Sequence, residues 1–135
     1  MSEFVLDASA MLAFLNDEPG AGRVSDILLG RRGVLLAVNL TEVLTRLVDW
    51  KVPLAEARAR LDNLDLPILP FDHALAFAAA ELRTPTRHLG LSLGDRACLA
   101  LAKSLGAVAV TADRPWLELS LGIEIECVRP GEAAT

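Results

Sequence analysis

The chain alternates short apolar runs with longer stretches in which apolar residues recur every three or four positions. Glu3–Asp7 is a short apolar strand that ends in an acid. Ser9–Leu15 reads as a short helix closed by the turn Asn16–Gly20, and Ala21–Leu29 as a second helix stopped by Gly30. Val34–Val38 is a continuous apolar run, the pattern of a strand covered on both faces. Across Asn39–Trp50, Leu40, Val43, Leu44, Leu47 and Val48 fall on one helical face. Pro53 suits the first turn of a further helix running through Leu61 and Leu64.

Pro67–Phe71 is a brief, proline-flanked segment predicted as an edge strand. Asp72 caps an alanine-rich helix up to Arg83, and Thr84-Pro85-Thr86 reads as a loop. Ser92 opens a helix through Leu99 and Leu105 that Gly106 ends. Val108–Thr111 is the next strand, and Ile123–Val128 closes the set with edge-like alternation. Strands alternating with helices predict an α/β sandwich around a mostly parallel sheet, with right-handed crossovers. Residues 1–130 are expected to form one domain and residues 131–135 a flexible tail.

Composition agrees with a sizeable core, at 53% hydrophobic and 23% charged residues in 135. Aromatic residues are only 4% and Tyr is absent, so Leu, Ala, Val and Ile must build that core. Net charge is −5, the wrong sign for a broad basic nucleic-acid face. Cys98 and Cys127 lack metal-type spacing and read as reduced, buried thiols. The N-terminus lacks the pattern of a signal peptide, and no apolar run approaches the ~18 residues that span a bilayer. A cytoplasmic chain with no membrane partner is expected.

In open α/β sheets, ligands bind outside the carboxyl ends of the strands. Four acids fall near such ends: Asp7, Glu42, Asp95 and Asp113. Each also has a purely local explanation. Asn39-Leu40-Thr41-Glu42 and Ser92-Leu93-Gly94-Asp95 resemble capping boxes, Asp7 suits a helix cap, and Asp113 suits a turn. Asp7 and Asp113, however, follow apolar strands, where charge is costly without a counter-ion. Converging carboxylates suit a hard cation such as Mg2+ or Mn2+.

Four segments carry a family resemblance. Val5-Leu6-Asp7-Ala8-Ser9-Ala10, the segment Asn39–Leu44, the segment Leu91–Ala100 and the segment Val110–Trp116 resemble, in order, the acidic motifs of PIN domains. The last is similar to the pattern of VapC toxins. The resemblance spans essentially the whole chain and implies a PIN-like three-layer sandwich. It also implies a Mg2+- or Mn2+-dependent endoribonuclease, with Asp7, Glu42, Asp95 and Asp113 as catalytic, metal-binding acids. Ser9 and Thr111 would be supporting hydroxyls. RNA (transfer or ribosomal) would be the substrate, a VapB-type antitoxin the partner, and a homodimer the assembly. The expected hydrolysis leaves a 5′-phosphate and a 3′-hydroxyl. Relatives often carry a further acid near the fourth motif; here Ala112 and Arg114 flank Asp113, which puts a second metal in doubt.

The remaining notable residues are assigned more ordinary places. Arg83, Arg87, His88, Arg96 and Arg114 are candidates for phosphate contacts, while His73 and His88 are expected at the surface or at caps. Trp50 and Trp116 are expected to pack in the core or an interface. The stripe Val43, Leu47, Leu54 and Leu61 reads as core or as a groove for an antitoxin helix. Two rival functions stand beside the nuclease: a small metal-dependent phosphatase, and an inactive PIN-like module that binds RNA or protein. Ser9 occupies the place where dehalogenase-like phosphatases need a second Asp, and the receiver domains' acid pair and Lys are absent, which disfavours the first.

Overall fold

Phe4–Leu6 forms the central strand, β1, of a five-stranded sheet in the computed structural model, which describes residues 3–131. The other strands are β2 (Gly33–Leu36), β3 (Ile68–Leu69), β4 (Val108–Thr111) and β5 (Ile125–Cys127). Their order is β3-β2-β1-β4-β5 and every pairing is parallel. A parallel sheet needs crossovers, and helices supply them. These are α1 (Ala8–Leu15), α2 (Ala21–Leu29), α3 (Ala37–Asp49), α4 (Leu54–Asp62), α5 (His73–Glu81), α6 (Arg83–Thr86) and α7 (Leu93–Leu105).

The sheet is covered on both faces, which is why its central strands are apolar at successive positions rather than alternate ones. Phe4, Leu6, Leu35 and Val110 share one cluster with Met11, Val24, Ile27, Val43 and Leu47 of α1, α2 and α3. Val5, Val34, Leu36 and Ala109 share the other with α5 and α7, through Leu75, Ala79, Cys98, Leu99 and Ala102. Small residues at 97, 100 and 102 let the middle of α7, residues 97–102, bury against this face. The start of α7 is fixed by a full capping box between Ser92 and Asp95, and its end by Gly106 at φ +63°. A cap of this kind stabilises a helix by about 1 kcal/mol.

Five local expectations need correction. The apolar run Val34–Val38 is not all strand, because α3 already begins at Ala37. Its N-cap is Leu36, which offers no capping side chain, so Asn39 lies inside the helix instead of capping it. Glu42 therefore stands in the second turn and no capping box forms there. Thr84-Pro85-Thr86 is helical rather than a loop, since Pro85 fits an early helical position and Thr86 Oγ1 donates to Leu82 O at 2.7 Å. Cys98 is buried as expected, but Cys127 at the sheet edge is only half-buried. The last strand spans Ile125–Cys127, shorter than the alternating segment that announces it. Among the described residues no helix is long and apolar enough to cross a membrane. The expected tail falls mainly on residues 132–135, which lie outside the described residues.

Candidate active site

Strand order reverses at β1: β2 and β3 lie to one side of it, β4 and β5 to the other. A crevice opens at the carboxyl end of such a switch point, because successive crossover helices diverge there. Asp7 follows β1 directly and caps α1, accepting from the Ala10 N–H at 2.7 Å. Ser9 Oγ donates to the same carboxylate at 2.8 Å, and Thr111 Oγ1, at the end of β4, donates to Oδ2 at 2.6 Å. The two hydroxyls are engaged again as acceptors. Ala112 N–H donates to Ser9 Oγ at 2.9 Å and Asp113 N–H to Thr111 Oγ1 at 3.0 Å. Together they lace the ends of β1 and β4 around one buried acid.

Asp7 is only 3% exposed. Burial pushes its pKa from the ordinary 3.8 up to about 7, against the pull of the hydrogen bonds from Thr111, Ala10 and Ser9; the charge of Asp95 adds to the rise. Glu42 is shifted upward for the same leading reason, burial, opposed by its hydrogen bond from Asn39 and reinforced by Asp95. Asp113 is also raised, first by burial and then by Asp95, with Arg129 and Trp116 favouring its charged form. The Trp116 indole N–H is buried and completes no hydrogen bond, so its help to Asp113 is a weak one. Cys98, behind the site, is pushed well up by burial and by the charges of Asp7, Asp95 and Glu42. Burial leads every one of these shifts, and the charge of Asp95 adds to each of them.

The first turn of α3 meets the first turn of α7 through Asn39, which is buried. Its Nδ2 donates to Glu42 Oε1 at 2.8 Å and to Gly94 O at 3.1 Å, while its Oδ1 has no partner. The Glu42 carboxylate lies where a side chain at 94 would stand: a Cβ there would come within 2.2 Å of Oε1. Gly94 is therefore a cradle for Glu42, and glycine is required by close approach. Asp95 keeps its capping role, its Oδ2 accepting from the Ser92 N–H at 3.0 Å while it borders the crevice.

Asp7, Glu42, Asp95 and Asp113 line a single cleft of about 420 Å³, joined by Ser9. Sequence separates them by up to 106 positions (113 − 7), and the fold brings them to one place. Thr111 sits just behind, held to Asp7. Among the described residues none of the four is in an ion pair. Among the described residues no group of three or more His, Cys, Asp or Glu is arranged to hold a metal ion, and Asp7, Glu42 and Asp95 each accept from a local donor. The donor set nevertheless fits a hard divalent cation: all oxygen, in no ion pair among the described residues, and with the Asp7, Glu42 and Asp113 carboxyls held toward their protonated forms by burial.

Several lining residues were not anticipated. Arg46 and Trp50 of α3 follow Glu42 at i+4 and i+8, and Arg129 with Glu18 forms an ion pair of 3.5 Å on the cleft wall. The helical spacing of Arg46 and Trp50 from Glu42 was the signal available in the sequence. Trp50 corrects an expectation, since it is 42% exposed and faces the cleft; Trp116 is fully buried as expected. The expected arginine patch is also corrected. Arg96 donates to Ala79 O and Arg114 to Arg129 O, so both serve the backbone, and Arg83, Arg87 and His88 do not line the cleft. His73 and His88 lie at the surface.

An all-parallel α/β sheet with four carboxylates gathered at its switch point defines an α/β protein whose candidate site lies at the carboxyl ends of its strands. The PIN domain model matches residues 4–120, and the chain belongs to that family. No curated protein matches the chain. Among solved structures, a chain of DNA-bound VapBC from Salmonella typhimurium is 22% identical with TM-score 0.71, covering 95% of this chain and 99% of that one. VapBC2 from Rickettsia felis, bound to a promoter DNA fragment, gives 19% and 0.72, covering 92% and 97%. VapBC-5 from Mycobacterium tuberculosis gives 23% and 0.60, covering 96% and 100%. At these identities the likeness is one of fold.

Proposed function

We propose that the chain is a divalent-cation-dependent endoribonuclease, the VapC-type toxin of a type II toxin–antitoxin pair, with residues 1–130 as one catalytic domain. The observation that carries this reading is the gathering of four acids, from four separate segments, around one cleft with none of them in an ion pair among the described residues. Asp7, Glu42, Asp95 and Asp113 would hold Mg2+ or Mn2+, which when bound supplies charge neutralisation on phosphate and activation of water. Ser9 and Thr111 fix the Asp7 carboxylate by donating to it. Asn39 and Gly94 set the position of Glu42. Arg46 stands on the wall to balance a substrate phosphate, being free of any carboxylate among the described residues. Bound cations also reconcile a net charge of −5 with a polyanionic substrate.

A VapB-type antitoxin is the proposed partner, with the toxin acting as a homodimer in the cytoplasm on transfer or ribosomal RNA. Several matched folds come from VapBC complexes, and this chain offers an apolar groove of about 640 Å³ along α3 and α4. The stripe foreseen as core or groove divides: Val43 and Leu47 are buried, whereas Leu54 and Leu61 join Leu40, Leu44 and Ile68 in that groove. Incubation with cellular RNA, with Mg2+ or Mn2+ and then with chelator, tests the chemistry. Cleavage should require the cation and fall by at least about a hundredfold in Asp95→Asn. A fully active Asp95→Asn protein would overturn the assignment.

A further inference from the structure

The cleft carries an aromatic ring that the acid chemistry does not use. Trp50 closes α3 with its backbone alone, its N–H donating to Arg46 O at 3.0 Å and to Leu47 O at 3.1 Å. Its side chain is thereby free of any duty at the helix end. Tryptophan is usually well buried, yet this one is 42% exposed, while Trp116 is at 0%. The exposed surface borders the same cleft as Glu42 and Arg46.

Their spacing sets an order. Glu42, Arg46 and Trp50 are two successive i,i+4 steps on one helix, so acid, cation and indole follow one another along a single stripe. At 1.5 Å per residue Trp50 stands roughly 12 Å from Glu42 along the axis. A phosphate at the acidic floor would therefore have a guanidinium beside it and an aromatic plane beyond, in the direction the strand must leave. A stripe of this kind matches the chemistry of single-stranded nucleic acid, where cations track the backbone and rings stack on bases. A duplex keeps its bases stacked on one another and offers no free face to such a ring.

We propose that Trp50 is the stacking platform for an unpaired nucleobase of single-stranded RNA near the scissile phosphate, with Arg46 holding the intervening phosphate. This rests on the nuclease reading above. Stacking is sequence-tolerant, so Trp50 sets strand geometry and affinity, and the identity of the base is read elsewhere.

The test combines kinetics with fluorescence. Once the cleaved bond in a short single-stranded RNA is mapped, Trp50→Ala should raise KM roughly 5- to 100-fold with kcat changed less than about twofold, and Trp50→Phe should restore most of the loss. An RNA made abasic at successive positions around that bond should show one position where wild type and Trp50→Ala become equal. Because Trp116 is buried, quenching of indole fluorescence by the intact RNA in chelator should come from Trp50 and vanish in Trp50→Phe. Unchanged KM in Trp50→Ala, or equal quenching by intact and abasic RNA at every position, overturns the stacking role while leaving the nuclease reading standing. Should Trp50→Ala fail to fold, the abasic series on the wild-type protein decides the question alone. Absence of any cleavage with cation sinks the nuclease reading, and the quenching comparison then decides the stacking separately.

Discussion

Replacing Asp7 by Asn should destroy activity yet stabilise the metal-free protein, and the size of the gain follows from the pKa of Asp7. In the unfolded chain an aspartate titrates near its ordinary value, whereas burial holds Asp7 at about 7 in the folded state. Below pH 4 both states are protonated and the site costs nothing. Between pH 4 and 7 the unfolded chain ionises while the folded one keeps its proton, so stability falls by about 1.4 kcal/mol per pH unit. Above pH 7 the loss is complete, about 4 kcal/mol without a cation. Asparagine removes the charge, keeps a carbonyl for the Ala10 N–H and can donate to the Thr111 hydroxyl once that turns to accept. Trading hydrogen bonds to a charged acceptor for neutral ones offsets about half of the gain. The expected net is roughly 1–3 kcal/mol at pH 8, or about 4–12 °C in Tm, shrinking toward zero at pH 4. Thermal unfolding of chelated wild type and Asp7→Asn at pH 4.5 and 8 measures it. An Asp7→Asn protein less stable than wild type at pH 8, or a difference that ignores pH, would refute the argument.

Two further substitutions probe the surrounding structure. Gly94→Ala should leave Tm unchanged or slightly higher, since alanine is the better helix former by about 1 kcal/mol and the obstacle is the mobile end of Glu42; cleavage should nevertheless collapse as Glu42 is pushed aside, so an unimpaired rate would contradict the cradle. Leu99→Ala, in the fully buried stripe of α7, should cost about 2–5 kcal/mol in denaturant unfolding, and a smaller loss would mean that the alanine-rich face collapses into the cavity.

Legibility of the fold from sequence depended on how burial writes itself into a strand. Central strands such as Phe4–Leu6 and Val108–Thr111 are enclosed on both faces, so their uninterrupted apolar runs mark them clearly. The same rule misled at Val34–Val38, because α3 starts inside an apolar run with no polar cap to announce it. That displaced start moved Asn39 from an expected cap to a buried bridge between α3 and α7. The acids were legible because strand ends and family motifs coincide, and the cleft gathers all four. The cleft walls were harder to read: the i+4 and i+8 spacing of Arg46 and Trp50 from Glu42 fits a solvated helix face equally well, and Arg129 owes its place to the path beyond the last strand, which leaves no local pattern. The arginines that stood out in sequence, Arg96 and Arg114, were drawn to backbone carbonyls instead.

The same geometry links the cost of the site to its use. Asp7 is buried between two strand ends, and three donors hold its oxygens in place even though its charge is disfavoured. A purely structural helix cap would gain by being exposed, where the charge is solvated and the cap equally strong. Asn39 adds a second case, with a buried carbonyl left unpaired beside Glu42 where an apolar residue would avoid the loss. Stability alone selects neither feature. Both become intelligible if the cleft is completed by a cation, because binding it recovers the energy that folding the carboxylates together gave up. On that account the stabilisation measured in Asp7→Asn and the affinity for the cation are one quantity seen twice: variants that relieve the buried charge should stiffen the empty protein and weaken its hold on the ion in proportion.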